Sequence, residues 1–242
     1  MDFYFKTAFA LFLSSFVMGF SGFGFSMTAI SILCLFQPLK EAVPVVFFLN
    51  SALNTILILQ LRHYLDWKRV LPQAAGFAPG AIIGLFFLTN VNDEFLKLGV
   101  GATLLLFALW SFLNVRVSIE GEKRPWSLLS GFLGGILGGA AYMPGPPVII
   151  YNTWAHTDRF RFKVDLQVFF LLTNIYFFFT YAYLGLISFD SFLSAASFSP
   201  FVLLGVLAGV VTCNRTTNRS FSKIGYVLIS AMGILLMIKS LV

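Results

Sequence analysis

Charge is what this sequence has least of. Only 11% of its 242 residues are Asp, Glu, Lys or Arg, while 58% are hydrophobic; a soluble domain carries about a quarter charged residues. That scarcity excludes an ordinary soluble enzyme and a disordered chain. Two cysteines, Cys34 and Cys213, are too few for a disulfide-stapled secreted module. Both lie in apolar stretches, where a free cysteine behaves as a small hydrophobe. No P-loop motif is present, so ATP-driven work would need a separate subunit. No His/Cys spacing suits a metal, and no Lys/Arg run interleaved with aromatics suits nucleic acid. Neither metal, cofactor nor nucleic acid is expected. The ten carboxylates all fall at the ends of apolar runs or between them. That disfavours coupling through a buried carboxylate. A Ser–His–Asp set can be assembled on paper, but no spacing supports it, so no enzyme activity is expected.

What remains is a polytopic helical membrane protein, with a mean hydropathy of +0.88 and 30 phenylalanines suited to a lipid-facing surface. The net charge of +6 reads as basic residues held back in cytoplasmic loops against anionic lipid. The first apolar stretch follows Lys6, as in a signal peptide, but Asp2 precedes it and no small-x-small cleavage site follows. It is read as a retained membrane segment.

Charges divide the chain into eight apolar runs: 7–39, 42–61, 70–92, 98–115, 125–155, 166–189, 191–214 and 224–238. A helix needs roughly 20 residues to cross the hydrocarbon core. Six runs fit one crossing each. The first and fifth are too long and are interrupted, the first by Gly19-Phe20-Ser21-Gly22-Phe23-Gly24, the fifth by Gly138-Gly139 and then Tyr142-Met143-Pro144-Gly145-Pro146-Pro147. Three prolines within four residues break a helix, so each run is read as two half-helices around a break. A broken run followed by three single runs occurs twice, with a period near 120 residues, and Asn54 and Asn174 take similar places in the two halves. The organisation expected is a first repeat over 1–116, a polar cytoplasmic linker over 117–124 and a second repeat over 125–242, all one membrane domain.

Loop charge tests the topology. If all eight runs cross, the two sides carry 8 Lys and Arg each, against the expected bias. If both broken runs are re-entrant hairpins, the split is 4 to 12, with both termini outside. A hairpin in the second half alone gives 13 to 3, so charge supports the second hairpin and leaves the first open. The matching break favours two. The fold class expected is an all-α polytopic membrane protein with two inverted repeats, each a broken re-entrant hairpin plus three transmembrane helices; seven or eight crossings are the alternative. Inverted repeats place binding sites near the midplane where broken helices meet.

The chain resembles the TauE/SafE family of sulfite-exporter-like membrane transporters along nearly its whole length. The resemblance rests on the break Gly19-Phe20-Ser21-Gly22-Phe23-Gly24, the break ending Gly145-Pro146-Pro147, and the duplicated four-run layout. The family's second break reads like Gly-x-x-Gly-x-x-Gly-Pro-Pro. Gly139, Gly145, Pro146 and Pro147 match it, but Tyr142 stands in place of the middle glycine and Pro144 is added. A phenol there would narrow or re-aim the site. The resemblance implies a carrier of sulfite, sulfonates or related small anions in a bacterial plasma (inner) membrane.

A half-helix N-terminus offers unpaired N–H groups and a positive dipole end, which suit an anion. The expected lining is Gly22, Phe23, Gly24 and Ser26 at the first break and Tyr142, Gly145, Pro146 and Pro147 at the second. Thr28 could add a hydroxyl. Packing or kinking is the alternative use of such Gly and Pro. Asn50, Asn54 and Asn174 would hydrogen-bond substrate oxygens or neighbouring helices, as would Gln167 and Thr173. Arg159, Arg161 and Lys163 would attract anions to the inner vestibule or anchor the helix at the cytoplasmic surface. His156 and Asp158 could titrate there. The glycosylation patterns at Asn214 and Asn218 fall inside and are given no role. The leading expectation is an alternating-access carrier with a midplane site between the two hairpin tips, its partners a small anion and the lipid bilayer. An anion channel, a carrier of another small organic anion, and a membrane-embedded enzyme or assembly factor are the alternatives. A homo-oligomer is left open.

Overall fold

In hydrocarbon every backbone N–H and C=O must be satisfied within the chain, and a helix does this segment by segment. The computed structural model describes residues 2–61, 67–113, 124–155 and 159–215. Among them are nine helices and no strand: α1 (Asp2–Ser21), α2 (Phe25–Leu33), α3 (Leu39–Leu61), α4 (Trp67–Asn90), α5 (Asp93–Leu113), α6 (Arg124–Ala141), α7 (Gly145–Ala155), α8 (Arg159–Tyr183) and α9 (Phe189–Arg215). Six stretches are long and apolar enough to cross a bilayer: Phe3–Ser21, Leu39–Ile58, Val70–Asn90, Asp93–Leu113, Arg161–Tyr183 and Phe189–Thr212. The chain is an integral membrane protein of the all-α polytopic class, as the scarcity of charge requires. The eighth apolar run, residues 117–123, His156, Asp158 and Asn218 lie outside the described residues.

Both breaks fall where the Gly and Pro clusters predict, at 22–24 and at 142–144. The arms on either side are unequal. α1 and α6 have 20 and 18 residues, while α2 and α7 have 9 and 11. At 1.5 Å per residue the longer arms reach about 30 Å. "Half-helices" therefore describes α2 and α7 only. The reason is packing: Gly19 and Gly139 stay helical, each against the backbone carbonyl of another helix, Val206 for Gly19 and Ala81 for Gly139.

The helices group into two compact units, and each draws on both halves of the sequence. One takes in Met1–Leu49, Asn92–Val115 and Phe189–Val242, the other Asn50–Val91 and Arg116–Ser188. In the first unit α1 lies along α9. A Cβ on Gly205 would strike the carbonyl of Phe12 and the hydroxyl of Ser15, and one on Gly209 the carbonyl of Phe16. The Tyr4 ring stacks on Phe198 at 4.8 Å. Asp93 at the head of α5 accepts the first N–H of α3, from Leu39, at 2.7 Å and pairs with Lys97 at 2.6 Å. One carboxylate thereby caps one helix and is held by its own.

In the second unit α4 lies along α6 through two reciprocal glycine rows. Gly76, Gly80 and Gly84 face the carbonyls of Leu128, Phe132 and Ile136; Gly131, Gly135 and Gly139 face those of Gln73, Phe77 and Ala81. Small residues every fourth position let two backbones approach closely in a membrane. The two units repeat each other in detail. Gly84 meets Ile136, Gly139 and Ala140, whereas Gly209 meets Phe16, Gly19 and Phe20. The partners on α1 and α6 differ by 120 positions throughout, matching the period of the apolar runs.

Candidate functional site

The second unit gathers most of the residues singled out above. Asn50, Tyr142 and Asn174 come from α3, the α6–α7 break and α8, and they meet at one hydroxyl. Asn50 Nδ2 donates to Tyr142 Oη at 3.1 Å. Tyr142 in turn donates to Asn174 Oδ1 at 2.6 Å. All three residues are buried. Asn54 follows Asn50 by one turn on the same face of α3. It is 0% exposed, and neither its Nδ2 nor its Oδ1 hydrogen-bonds within the protein. Asn174 Nδ2 is likewise without a protein partner. Native interiors seldom leave such groups unpaired, because each carries its full desolvation cost.

Aromatic rings pack against this polar knot. The Tyr142 ring lies 5.4 Å from Phe177 and 6.4 Å from Tyr181, and Phe177 stacks on Tyr181 at 4.9 Å. Phe77 reaches both Phe169 and Phe177 edge-on.

Tyr142 also holds a costly backbone. Its φ is +53°, in the left-handed region, where Gly22 of the first break has φ +83°. The amides of both residues donate to the carbonyl four positions back, Tyr142 to Gly138 and Gly22 to Met18, each at 2.7 Å. The two residues therefore close their helices alike. A side chain in this conformation costs on the order of 1 kcal/mol over glycine. The phenol's two hydrogen bonds offset that cost.

Gly145 begins α7, with Pro146 and Pro147 in its first turn, where the fixed φ of proline suits a helix start. The prolines carry no N–H. Of the first four donors of α7 only those of Gly145 and Val148 can remain, so side-chain amides carry most of the donor capacity near this break. A Cβ on Gly145 would come within 3.3 Å of Ile149 Cδ1 and 3.9 Å of Phe170.

Gly22, Phe23, Gly24 and Ser26 belong to the other unit. The first three are half-buried, unlike the buried second break, and Ser26 is half-buried too. Ser21 ties that turn through its hydroxyl, 2.8 Å from the Val17 carbonyl and 2.6 Å from that of Phe23. Thr28 Oγ1 is buried without a protein partner. Elsewhere, Thr173 spends its hydroxyl on its own helix, at Phe170. Arg159 opens α8, and Arg161 and Lys163 on its first turns are exposed.

The sequence reading overlooked a second buried polar group. Gln73 of α4 donates to Ser130 of α6 at 3.3 Å and to Asn152 of α7 at 3.4 Å. Amides inside charge-free runs were the available signal, the same that marked Asn50. This group sits where Gly131 presses on the Gln73 backbone, a place for holding helices together.

Broken helices in corresponding places of the two halves of an all-α polytopic chain are a feature of secondary transporters. The sequence model of the sulfite exporter TauE/SafE family matches residues 7–236, and the chain belongs to that family. It is similar to a "Probable sulfite/organosulfonate exporter TauE" of Cupriavidus necator, with 29% identity over 150 residues, 60% of this chain and 54% of the relative. The chain thus spans about half the length of the curated relative it matches. No solved structure matches.

Proposed function

We propose that the chain carries small sulfur oxyanions or organosulfonates across the bilayer, and that Asn50, Asn54, Tyr142 and Asn174 contact the substrate. The observation that carries this reading is the convergence of buried amides on the α6–α7 break, with donors on Asn54 and Asn174 left unspent. Amides and a phenol suit a polyoxygenated anion, since they offer N–H and O–H without the cost of a buried cation. Family membership and the relative's printed name support the substrate class. The charge count supports a re-entrant second break, the matching first break favours two hairpins with both termini outside, and the family resemblance supports a plasma (inner) membrane. The exposed Arg161 and Lys163 would draw anions toward α8. The fold class and the broken helices favour alternating access.

The test is electrogenic flux in proteoliposomes on a solid-supported membrane, against sulfite, sulfate, thiosulfate, sulfoacetate, taurine, acetate, chloride and a sugar. A saturable signal confined to sulfur compounds is expected. Equal signals for acetate and chloride would remove the substrate assignment.

A further inference from the structure

The Gln73 group has more donor capacity than its helices use. From it we infer a second binding site for a small oxyanion, between α4, α6 and α7 and away from the break. The inference rests on the reading of the chain as an anion carrier. α7 runs back along α6. A Cβ on Gly138 would come within 3.2 Å of Pro144 Cβ, and one on Gly134 within 3.1 Å of Val148 Cγ2. One turn further, Gln73 joins Ser130 to Asn152. Asn152 is seven positions beyond Gly145, about 10 Å along α7. Gln73, Ser127, Ser130 and Asn152 are all buried, none more than 6% exposed.

Gln73 Nε2 gives its two protons to Ser130 Oγ and Asn152 Oδ1. Ser130 gives its own to the Ser127 carbonyl at 2.8 Å. These bonds orient both amides. Asn152 Nδ2, and Ser127 Oγ one turn before Ser130, have no partner in the protein. The amino group only donates, the hydroxyl can donate, and Asn152 Oδ1 is already engaged. A ligand that accepts hydrogen bonds is what the group lacks. α4 and α6 run parallel, Gly131 facing Gln73 and Gly139 facing Ala81. Both therefore begin at this end, and two positive helix ends with the exposed Arg124 favour negative charge there.

Holding helices together does not account for the group. The first unit packs the same pair of helices without it. Gly80 and Gly84 of α4 correspond to Gly205 and Gly209 of α9, a shift of 125, while α6 and α7 correspond to α1 and α2 by 120. Gln73, Ser130 and Asn152 thus correspond to Phe198, Ala10 and Ile32; Ser127 alone of the four has a hydroxyl counterpart, Thr7. The bonds from Gln73 are also long, 3.3 and 3.4 Å, where such bonds centre near about 2.9 Å.

The experiment is calorimetric titration of the purified full chain with sulfite, sulfate and sulfoacetate. Two binding steps are expected for a ligand that is carried. Asn54→Leu should remove one and leave the other. The double variant Gln73→Leu/Asn152→Leu replaces both hydrogen-bonding partners by apolar groups of similar size, a change that is nearly neutral for folding. It should weaken the other step at least about tenfold. Ser127→Ala removes a hydroxyl with no protein partner and should weaken the same step. Binding that the double variant and Ser127→Ala leave unmoved would overturn the inference, and its loss in Asn54→Leu would keep the Tyr142 site in place. A step lost in the double variant, with none lost in Asn54→Leu, would keep the second site and remove the first. Absence of binding by all three anions would overturn both. The number of steps on the unmodified protein does not depend on any variant folding.

Discussion

The hydroxyl of Tyr142 donates to Oδ1 of Asn174 at 2.6 Å while accepting from Asn50 at 3.1 Å. One phenol thus joins the α6–α7 break to α3 and α8. It does so from a backbone conformation that the other break gives to Gly22. A strained residue that ties together buried amides is costly to keep for packing alone.

Asn54 separates a functional amide from a structural one. Asn54→Leu removes two buried groups that have no protein partner, so the ligand-free protein should gain about 1–3 kcal/mol of stability. Substrate affinity should fall. Asn50→Leu should lower stability, because it strips a donor from Tyr142. Thermal unfolding in detergent, with and without substrate, reads both effects. A less stable Asn54→Leu protein would show that the amide holds the fold.

Two substitutions at Tyr142 should diverge. Tyr142→Phe keeps the shape and leaves Asn50 Nδ2 and Asn174 Oδ1 unpaired, costing about 1–3 kcal/mol for each. Tyr142→Gly relieves the positive φ and removes the ring. Its flux should extend to bulkier sulfonates that the phenol keeps out. Unaltered selectivity in the glycine variant would mean that the ring does not border the substrate.

The glycine rows of α4 and α6 should tolerate almost nothing. Gly135 faces the Phe77 carbonyl and the backbone nitrogen of Ala81 too closely for any Cβ. Gly135→Leu should lose folded protein, since overpacking costs about 1–3 kcal/mol even where neighbours can yield. Gly99, in α5, meets nothing within 4 Å. Gly99→Ala should be neutral or stabilising by up to about 1 kcal/mol, from helix propensity. Yield of monodisperse protein in size-exclusion chromatography distinguishes them.

The helices were legible because an uncharged run in lipid has few options other than a helix, and because Gly22, Gly24 and Pro144 stop one. The unequal arms were less so. Gly19 and Gly139 look like part of each break, yet they are helical residues flattened for a partner that lies far off in sequence. The pairing of α1 with α9 and of α4 with α6 joins opposite halves of the chain, a long-range choice that local pattern does not encode. Asn50, Asn54 and Asn174 stood out as amides in apolar runs. The meeting of Asn50 and Asn174 at Tyr142 depends on three separate elements. The same signal on Gln73 and Asn152 was passed over because those amides lack the matching places in the two halves that marked Asn54 and Asn174.

Counterflow tests the carrier reading most directly. Proteoliposomes loaded with unlabelled sulfite and diluted into trace labelled sulfite should accumulate label transiently above its equilibrium level. Asn54→Leu, folded but weak in binding, should abolish the overshoot. Label that only equilibrates, at a rate indifferent to internal sulfite, would contradict alternating access and point to a channel.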